Sequence, residues 1–299
     1  AVRLDRFTTR TPTHGLRMPE SQMPVLNRIA DFAPDMAIWR RHIHENPELG
    51  QHCEGTAAYV VERLREFGVD EIHEGIAISG VIAIINGQGA GPTIGLRADM
   101  DALPILEANR FGHCSVHKGV MHACGHDGHT AMLLGAAQHL ADNRNFDGTV
   151  VVIFQPAEEG GAGGKAMVDD GMMERFGIQE VYGMHNVPGM PVGTFASRTG
   201  PLMAAADHIE ITVEGRGAHA AIPQDGVDTV VVASAVVQAL QTIVSRNVDP
   251  LDQAVVSITQ IHAGDAFNVI PQTAELAGTV RTFKPETRDA VEARIAEIC

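Results

Sequence analysis

Between His122 and His129 the chain reads His-Ala-Cys-Gly-His-Asp-Gly-His, which places one thiol and three imidazoles within eight positions. Thiolate and imidazole donors together suit a divalent transition metal such as Zn²⁺, Mn²⁺ or Co²⁺. The i, i+2 spacing of Cys124 and His126 turns both side chains to one face of an extended segment, and to different sides of a helix. Gly125 and Gly128 allow the sharp backbone course that such a ligand loop needs. A cysteine near histidines also fits a thiolate nucleophile with its base. Three further potential ligands within five residues favour coordination.

Three other segments carry groups that belong with such a centre. Phe154-Gln155-Pro156-Ala157-Glu158-Glu159-Gly160-Gly161 follows the apolar run Val150 to Phe154. A strand ending in two carboxylates delivers them to the carboxyl edge of a sheet, where α/β sites form. Successive side chains diverge there, so one glutamate can bind metal while its neighbour faces the attacking water. His185, in Gly183-Met184-His185-Asn186, follows the apolar pair Val181 and Tyr182 and is a candidate ligand. Asp99 and Asp101 close the strand that begins at Thr93. An aspartate there can bond the free nitrogen of a ligating imidazole and fix its tautomer. That role is favoured for Asp99, whereas for Asp101 a helix N-cap is an equal alternative.

The elements that must position these groups can be read from composition and pattern. The chain has 299 residues, enough for about two domains. Its 22 Lys and Arg against 37 Asp and Glu give a net charge of −15. That excludes a general nucleic-acid binder, which needs a basic surface. With 44% hydrophobic and 20% charged residues, the chain can bury a core. Apolar stretches such as Ile76 to Ile85 fall short of a bilayer span. Four cysteines fit a reducing, cytoplasmic compartment rather than a disulfide scaffold.

Residues 1–22, with four arginines among Thr and Pro, are expected to form a disordered extension. Helices are expected over 26–45, 55–67 and 130–140, and buried strands over 80–85, 93–96 and 150–154. That alternation predicts an α/β domain with a mainly parallel sheet over residues 23–200. After Pro201 the texture changes: strands at 207–214, 254–261 and 274–283 and helices at 226–246 and from Pro285 follow the order β-α-β-β-α. This is one strand short of a ferredoxin-like unit. The second domain, 201–299, is expected to be an α+β lid that stops before its last strand.

The strings RADMDALPI, MHACGHDGHTAMLLGAA, FQPAEEG, GMHN, GRGAHAAIP and NVIPQTAELAGTVRTF resemble the two-metal amidohydrolases of the aminoacylase and carboxypeptidase G superfamily. Within it the chain is similar to the branch of hippurate hydrolases, bacterial N-acyl-amino-acid amidohydrolases and plant auxin-conjugate hydrolases. The likeness runs from about Met36 to the end of the chain. It implies two divalent ions (Mn²⁺, Zn²⁺, Co²⁺ or Ni²⁺) held by Cys124, His126, Glu159 and His185, with Glu158 as general acid and base and Asp99 orienting the site. It also implies that His219 of the lid reaches the active site of a partner subunit in a homodimer, and that Asn268 and Arg281 hold the substrate carboxylate.

The implied reaction is metal-dependent hydrolysis of the amide bond of a small anionic N-acyl amino acid, without nucleic-acid or membrane partners. A metallo-dipeptidase or carboxypeptidase of the same superfamily is the alternative. The chain departs from the family at Gln224, where relatives carry histidine, and at Ala218, where they carry glycine. Relatives also return to the catalytic domain with a further histidine ligand, so an inactive metal-binding fragment is the other expectation for these 299 residues.

Overall fold

A computed structural model describes residues 27–299, and the extension expected over residues 1–22 lies outside them. The chain forms two compact units that divide after Gly193.

The first unit begins with α1 (Asn27–Asp31) and α2 (Ala33–Glu45), where one helix over 26–45 was expected. Pro34 accounts for the break: it has no N–H to give to the carbonyl four residues back, and its ring crowds the preceding turn. Then follow α3 (Glu54–Phe67), β1 (Glu71–Ile76), β2 (Gly80–Asn86), β3 (Gly89–Asp99), α4 (His126–Asp142), β4 (Asp147–Gln155), α5 (Gly163–Asp169), α6 (Met172–Arg175) and β5 (Glu180–Gly183). The first turn of α3 is satisfied from outside. The Glu48 carboxylate accepts the Gly55 and Thr56 N–H groups at 3.0 and 2.7 Å. Gly68, at φ 69°, ends the helix in the left-handed region.

The five strands lie in the order β1-β2-β4-β3-β5. Parallel pairing joins β4 to β3 and β3 to β5, while β1-β2 and β2-β4 are antiparallel. The class is α/β as expected, with a larger antiparallel share than the apolar runs suggested. The difference comes from the tight turn at Ala77–Ser79, which folds β1 onto β2 as a hairpin, whereas parallel neighbours need a crossover.

Alternation along the strands builds a core on each face. Val81, Ala83, Ile85, Val150, Val152 and Phe154 pack with Trp39, Val61, Leu64 and Leu134 from α2, α3 and α4. Ile82, Val151 and Ile153 pack instead with Met167, Met172 and Ile178.

The second unit contains β6 (Ala205–Glu214), β7 (Ala218–His219), α7 (Thr229–Thr242), β8 (Ala254–Ala263), β9 (Val269–Ile270), β10 (Thr273–Thr282) and α8 (Pro285–Ile298). Its main sheet has the order β6-β10-β8, antiparallel throughout, and β7 pairs with β9 in a separate ribbon. Asp228 caps α7 by accepting the Val230 and Val231 N–H groups at 2.9 and 3.2 Å. A π-turn carries that helix on to Asn247. Over Thr229–Asn247 it is long and apolar enough to cross a bilayer by length and composition alone, alone in this among the described helices. It falls on the helix expected over 226–246. Its buried residues Leu240 and Ile243 pack with Val256, Val280 and Val291, and Ala233 with Leu276, so one face lies on the sheet while Val230, Val231 and Val232 are exposed.

Candidate metal centre

Cys124 lies in the coil before α4 and His126 is the first residue of that helix. The expected ligand segment is therefore neither extended nor wholly helical. Gly125 between them, at φ 92°, reverses the backbone and turns both side chains the same way. His185 follows β5 in the sheet. Donor atoms of Cys124, His126 and His185 all lie within 4.8 Å of one another. Cys124 Sγ is 3.4 Å from His185 Nε2, while His185 Nδ1 donates to the Asn186 carbonyl at 2.7 Å and so leaves Nε2 as an acceptor.

Glu158 and Glu159 occupy the turn beyond the end of β4. One oxygen of each stands 3.8 Å from His126 Nε2, and donor atoms of the three also fall within 4.8 Å of each other. The two donor groups, Cys124–His126–His185 and His126–Glu158–Glu159, thus share the imidazole of His126.

The imidazole of His126 is the most telling group. It is fully buried, its Nδ1–H donates to the Asp101 carbonyl at 2.8 Å, and its Nε2 has no hydrogen-bond partner. A buried acceptor facing two carboxylates has nothing to accept from within the chain. A divalent cation satisfies it, so the donor set fits the metal that the motifs imply. Burial, followed by Glu159, Glu158 and Asp99, pushes the Cys124 thiol up to about 12. A bound cation reverses that balance, because a coordinating thiol is deprotonated outright. Burial and then Glu159 raise the Glu158 carboxyl.

Asp99 was expected to orient the site. Its Oδ1 lies 2.6 Å from His129 Nδ1, and its nearest approach to His126 Nε2 is 3.7 Å. His129 Nε2 accepts the Asn186 N–H at 3.0 Å, which fixes the proton on Nδ1 and ties Asp99 to the loop that carries His185. Burial alone would raise the Asp99 carboxyl, but the His129 hydrogen bond and the Arg97 charge outweigh it and hold it at about 2. Asp101 caps no helix; its carboxylate meets the turn that carries the glutamates. Behind the first turn of α4, Asp127 Oδ2 receives Arg40 Nε and meets His44 Nδ1, both at 3.0 Å. His44 Nε2 in turn meets Glu107 at 3.1 Å. No local pattern signals this support, because its members lie as far as 87 residues apart.

In the second unit the β7–β9 ribbon joins His219 to Val269, and the Asn268 carbonyl accepts the Ala220 N–H at 3.0 Å. His219 Nδ1 accepts the Ala221 N–H at 3.0 Å, so its proton sits on Nε2. Arg281 lies on β10, where its guanidinium bonds the Thr279 hydroxyl and the Val280 carbonyl.

An α/β unit that gathers metal-ligand side chains at the ends of its strands, followed by a unit of antiparallel strands and helices, defines the class, and the chain belongs to peptidase family M20/M25/M40, whose model matches residues 95–290. It is 48% identical over 280 residues to N-acetyl-L-cysteine deacetylase of Bacillus subtilis, covering 93% of this chain and 66% of that one. It is 45% identical over 277 residues to hippurate hydrolase of Campylobacter jejuni, covering 93% and 72%. A dinuclear metal binding peptidase of the M20 family from Bacillus subtilis has the same fold, with TM-score 0.72 and 39% identity over 90% of this chain and 69% of its own. The chain spans about two thirds of the length of the curated relatives it matches.

Proposed function

We propose that this protein hydrolyses the amide bond of N-acyl amino acids, releasing a carboxylate and a free amino acid. The observation that carries the reading is the buried, partnerless Nε2 of His126, whose imidazole belongs both to the Cys124–His185 donor group and to that of Glu158 and Glu159. Two divalent ions, Mn²⁺, Zn²⁺, Co²⁺ or Ni²⁺, are assigned to these residues. When bound, they polarise the acyl carbonyl and acidify the attacking water.

The protein's own part is proton handling and positioning. Glu158, with one side of its carboxylate toward the centre, accepts the proton of the water as it attacks the acyl carbon. It then delivers that proton to the amide nitrogen as the C–N bond breaks. Its raised carboxyl suits both duties. In the proposed homodimer His219 offers its Nε2–H to the oxyanion that develops in the partner subunit's active site, and Asn268 and Arg281 are assigned to the substrate carboxylate. In this reading residues 23–200 are the catalytic domain and 201–299 the lid, which pairs two subunits as a homodimer. Four free cysteines support a reducing, cytoplasmic setting.

A dipeptidase or carboxypeptidase activity is the second reading, favoured by the M20 peptidase whose structure this chain resembles. Hippurate, N-acetylcysteine and a simple dipeptide are to be assayed with the purified protein before chelation, after it, and after refilling with each cation. Turnover of the acylated substrates that vanishes with the metal and returns with it is expected. Activity indifferent to chelation refutes the proposal, and turnover of the dipeptide alone selects the peptidase.

A further inference from the structure

The strand ladder of the second unit breaks just before His219. Pairing of β6 with β10 ends at Glu214 and Thr273, and pairing of β7 with β9 starts at Ala218 and Ile270. Gly215, Arg216 and Gly217 therefore face only Pro271 and Gln272, the unequal count of a β-bulge. Pro271 has no N–H to give. Its carbonyl accepts the hydroxyl of the buried Thr229 at 3.1 Å. Arg216 turns the other way, exchanging two backbone hydrogen bonds with Val227 at 3.1 and 2.9 Å. Gly215 and Gly217 are left facing the gap.

Gln272 fills that gap with its side chain. Nε2 donates to the Gly215 carbonyl at 2.7 Å and Oε1 accepts the Gly217 N–H at 3.0 Å. The Gln272 carbonyl accepts the Gly215 N–H at 2.9 Å. A side-chain amide offers a donor and an acceptor as a peptide unit does, so it stands in for the missing rung. We infer that Gln272 is a positioning residue that fixes the ribbon of His219 and Asn268 to the sheet of the second unit, an inference resting on the hydrolase reading above, in which those two residues meet the substrate.

The ribbon needs such a brace because it is short. Strands β7 and β9 pair over two residues each, too few to hold a direction alone. His219 lies two residues beyond Gly217, and the Asn268 carbonyl accepts the Ala220 N–H, so a swing at the bulge displaces both together. The path itself admits little else. A Cβ on Gly215 would stand 2.4 Å from the Val227 carbonyl oxygen, and one on Gly217 would stand 3.1 Å from that of Ile270. Glutamate is a poor replacement for Gln272 despite its equal size. It accepts from Gly217, but it has no proton for the Gly215 carbonyl and sets a negative charge against it.

The test compares the metal-loaded wild type with Gln272→Glu, His219→Ala and the double variant, on hippurate or N-acetylcysteine. Gln260→Glu, at an exposed position of β8, is the charge-matched control. Gln272→Glu is expected to lower kcat about 10–100-fold, with bound metal unchanged and the control equal to wild type. In His219→Ala protein the same change is expected to cost less than about twofold, because the group through which Gln272 acts is already gone. In wild type the NMR order parameter of the Gln272 side-chain amide is expected near that of rigid backbone, about 0.8. A kcat within about twofold of wild type in Gln272→Glu, or an undiminished loss in the His219→Ala background, overturns the inference and leaves the hydrolase reading standing. An order parameter below about 0.6 overturns it without recourse to any variant, so a misfolded mutant does not decide the matter. Wild type that hydrolyses neither substrate removes the hydrolase reading, and the inference with it.

Discussion

Asp99 lies 2.6 Å from Nδ1 of His129, and through that ring it governs a backbone amide 57 residues further along, because His129 Nε2 accepts the N–H of Asn186. The link makes the His185 loop answerable to the end of β3. Asp99→Asn substitutes a group able to accept from Nδ1–H but lacking the charge that steadies the ring and pairs with Arg97. Cation affinity is expected to fall about 10–100-fold with little change in melting temperature. Calorimetric titration of metal-free protein decides this, and an unaltered affinity would show that Asp99 serves only the fold.

Gly125 separates two proposed ligands and abuts the neighbour of a third. A Cβ there would stand 2.7 Å from Asn186 Oδ1, at a φ of 92° that alanine resists. Gly125→Ala is expected to cost about 1–2 kcal/mol from the left-handed conformation alone. It should also displace Asn186 and with it His185. Paired denaturation and cation-binding curves should both shift, and a variant with normal binding would mean that the loop yields freely.

Cys124 provides a separate reading of metal occupancy. With its thiol pushed up to about 12 in the absence of a cation, only about 10⁻⁴ of it is ionised at pH 8. Iodoacetamide should therefore label Cys124 of the chelated protein about 10³-fold more slowly than a thiol of ordinary pKa 9.0. Peptide mapping by mass spectrometry gives the rate. Rapid labelling of chelated protein would revive the thiolate nucleophile as an alternative.

Acid should loosen the second unit in a way that a single substitution isolates. Hydrogen bonds from Arg288, at 2.9 Å to both oxygens, hold the Asp207 carboxyl below its ordinary 3.8, against the opposing effect of burial. Because the folded value is the lower one, the native state binds fewer protons than the unfolded chain. Its contribution is complete above the unfolded value and lost as pH falls through the folded one. Wild type should melt above Arg288→Ala at pH 6, with the gap closing below about pH 4. A gap that persists to pH 2.5 would assign the effect to packing of the arginine stem.

Groups that are neighbours in sequence were the easiest to find. Cys124 with His126, and Glu158 with Glu159, announce themselves by type and spacing before any strand is placed. His129 stood in the same motif, yet its role was hidden, because its partners Asp99 and Asn186 come from two other strand ends. For Asp101 two roles stand open in the sequence for the same reason: its contacts with the Glu158 and Glu159 amides depend on β3 and β4 being parallel and ending together, which local pattern does not state. β1 is weak in the pattern because Glu71 and His73 on one face and Glu74 on the other interrupt the apolar alternation of an edge strand. Pro34 marks the break before α2, although the apolar periodicity of 26–45 runs across it.

One consequence concerns the ion itself. The side chains assigned to it hang from α4, β4 and the close of β5, and the interior that fixes α4 and β4, with Leu134, Val152 and Phe154 wholly enclosed, is hydrocarbon. Unlike a zinc finger, which collapses when stripped, such a framework keeps its shape as its cargo changes. One preparation can then be charged in turn with a spectroscopically silent, a coloured and a paramagnetic ion, and the same cradle compared under all three.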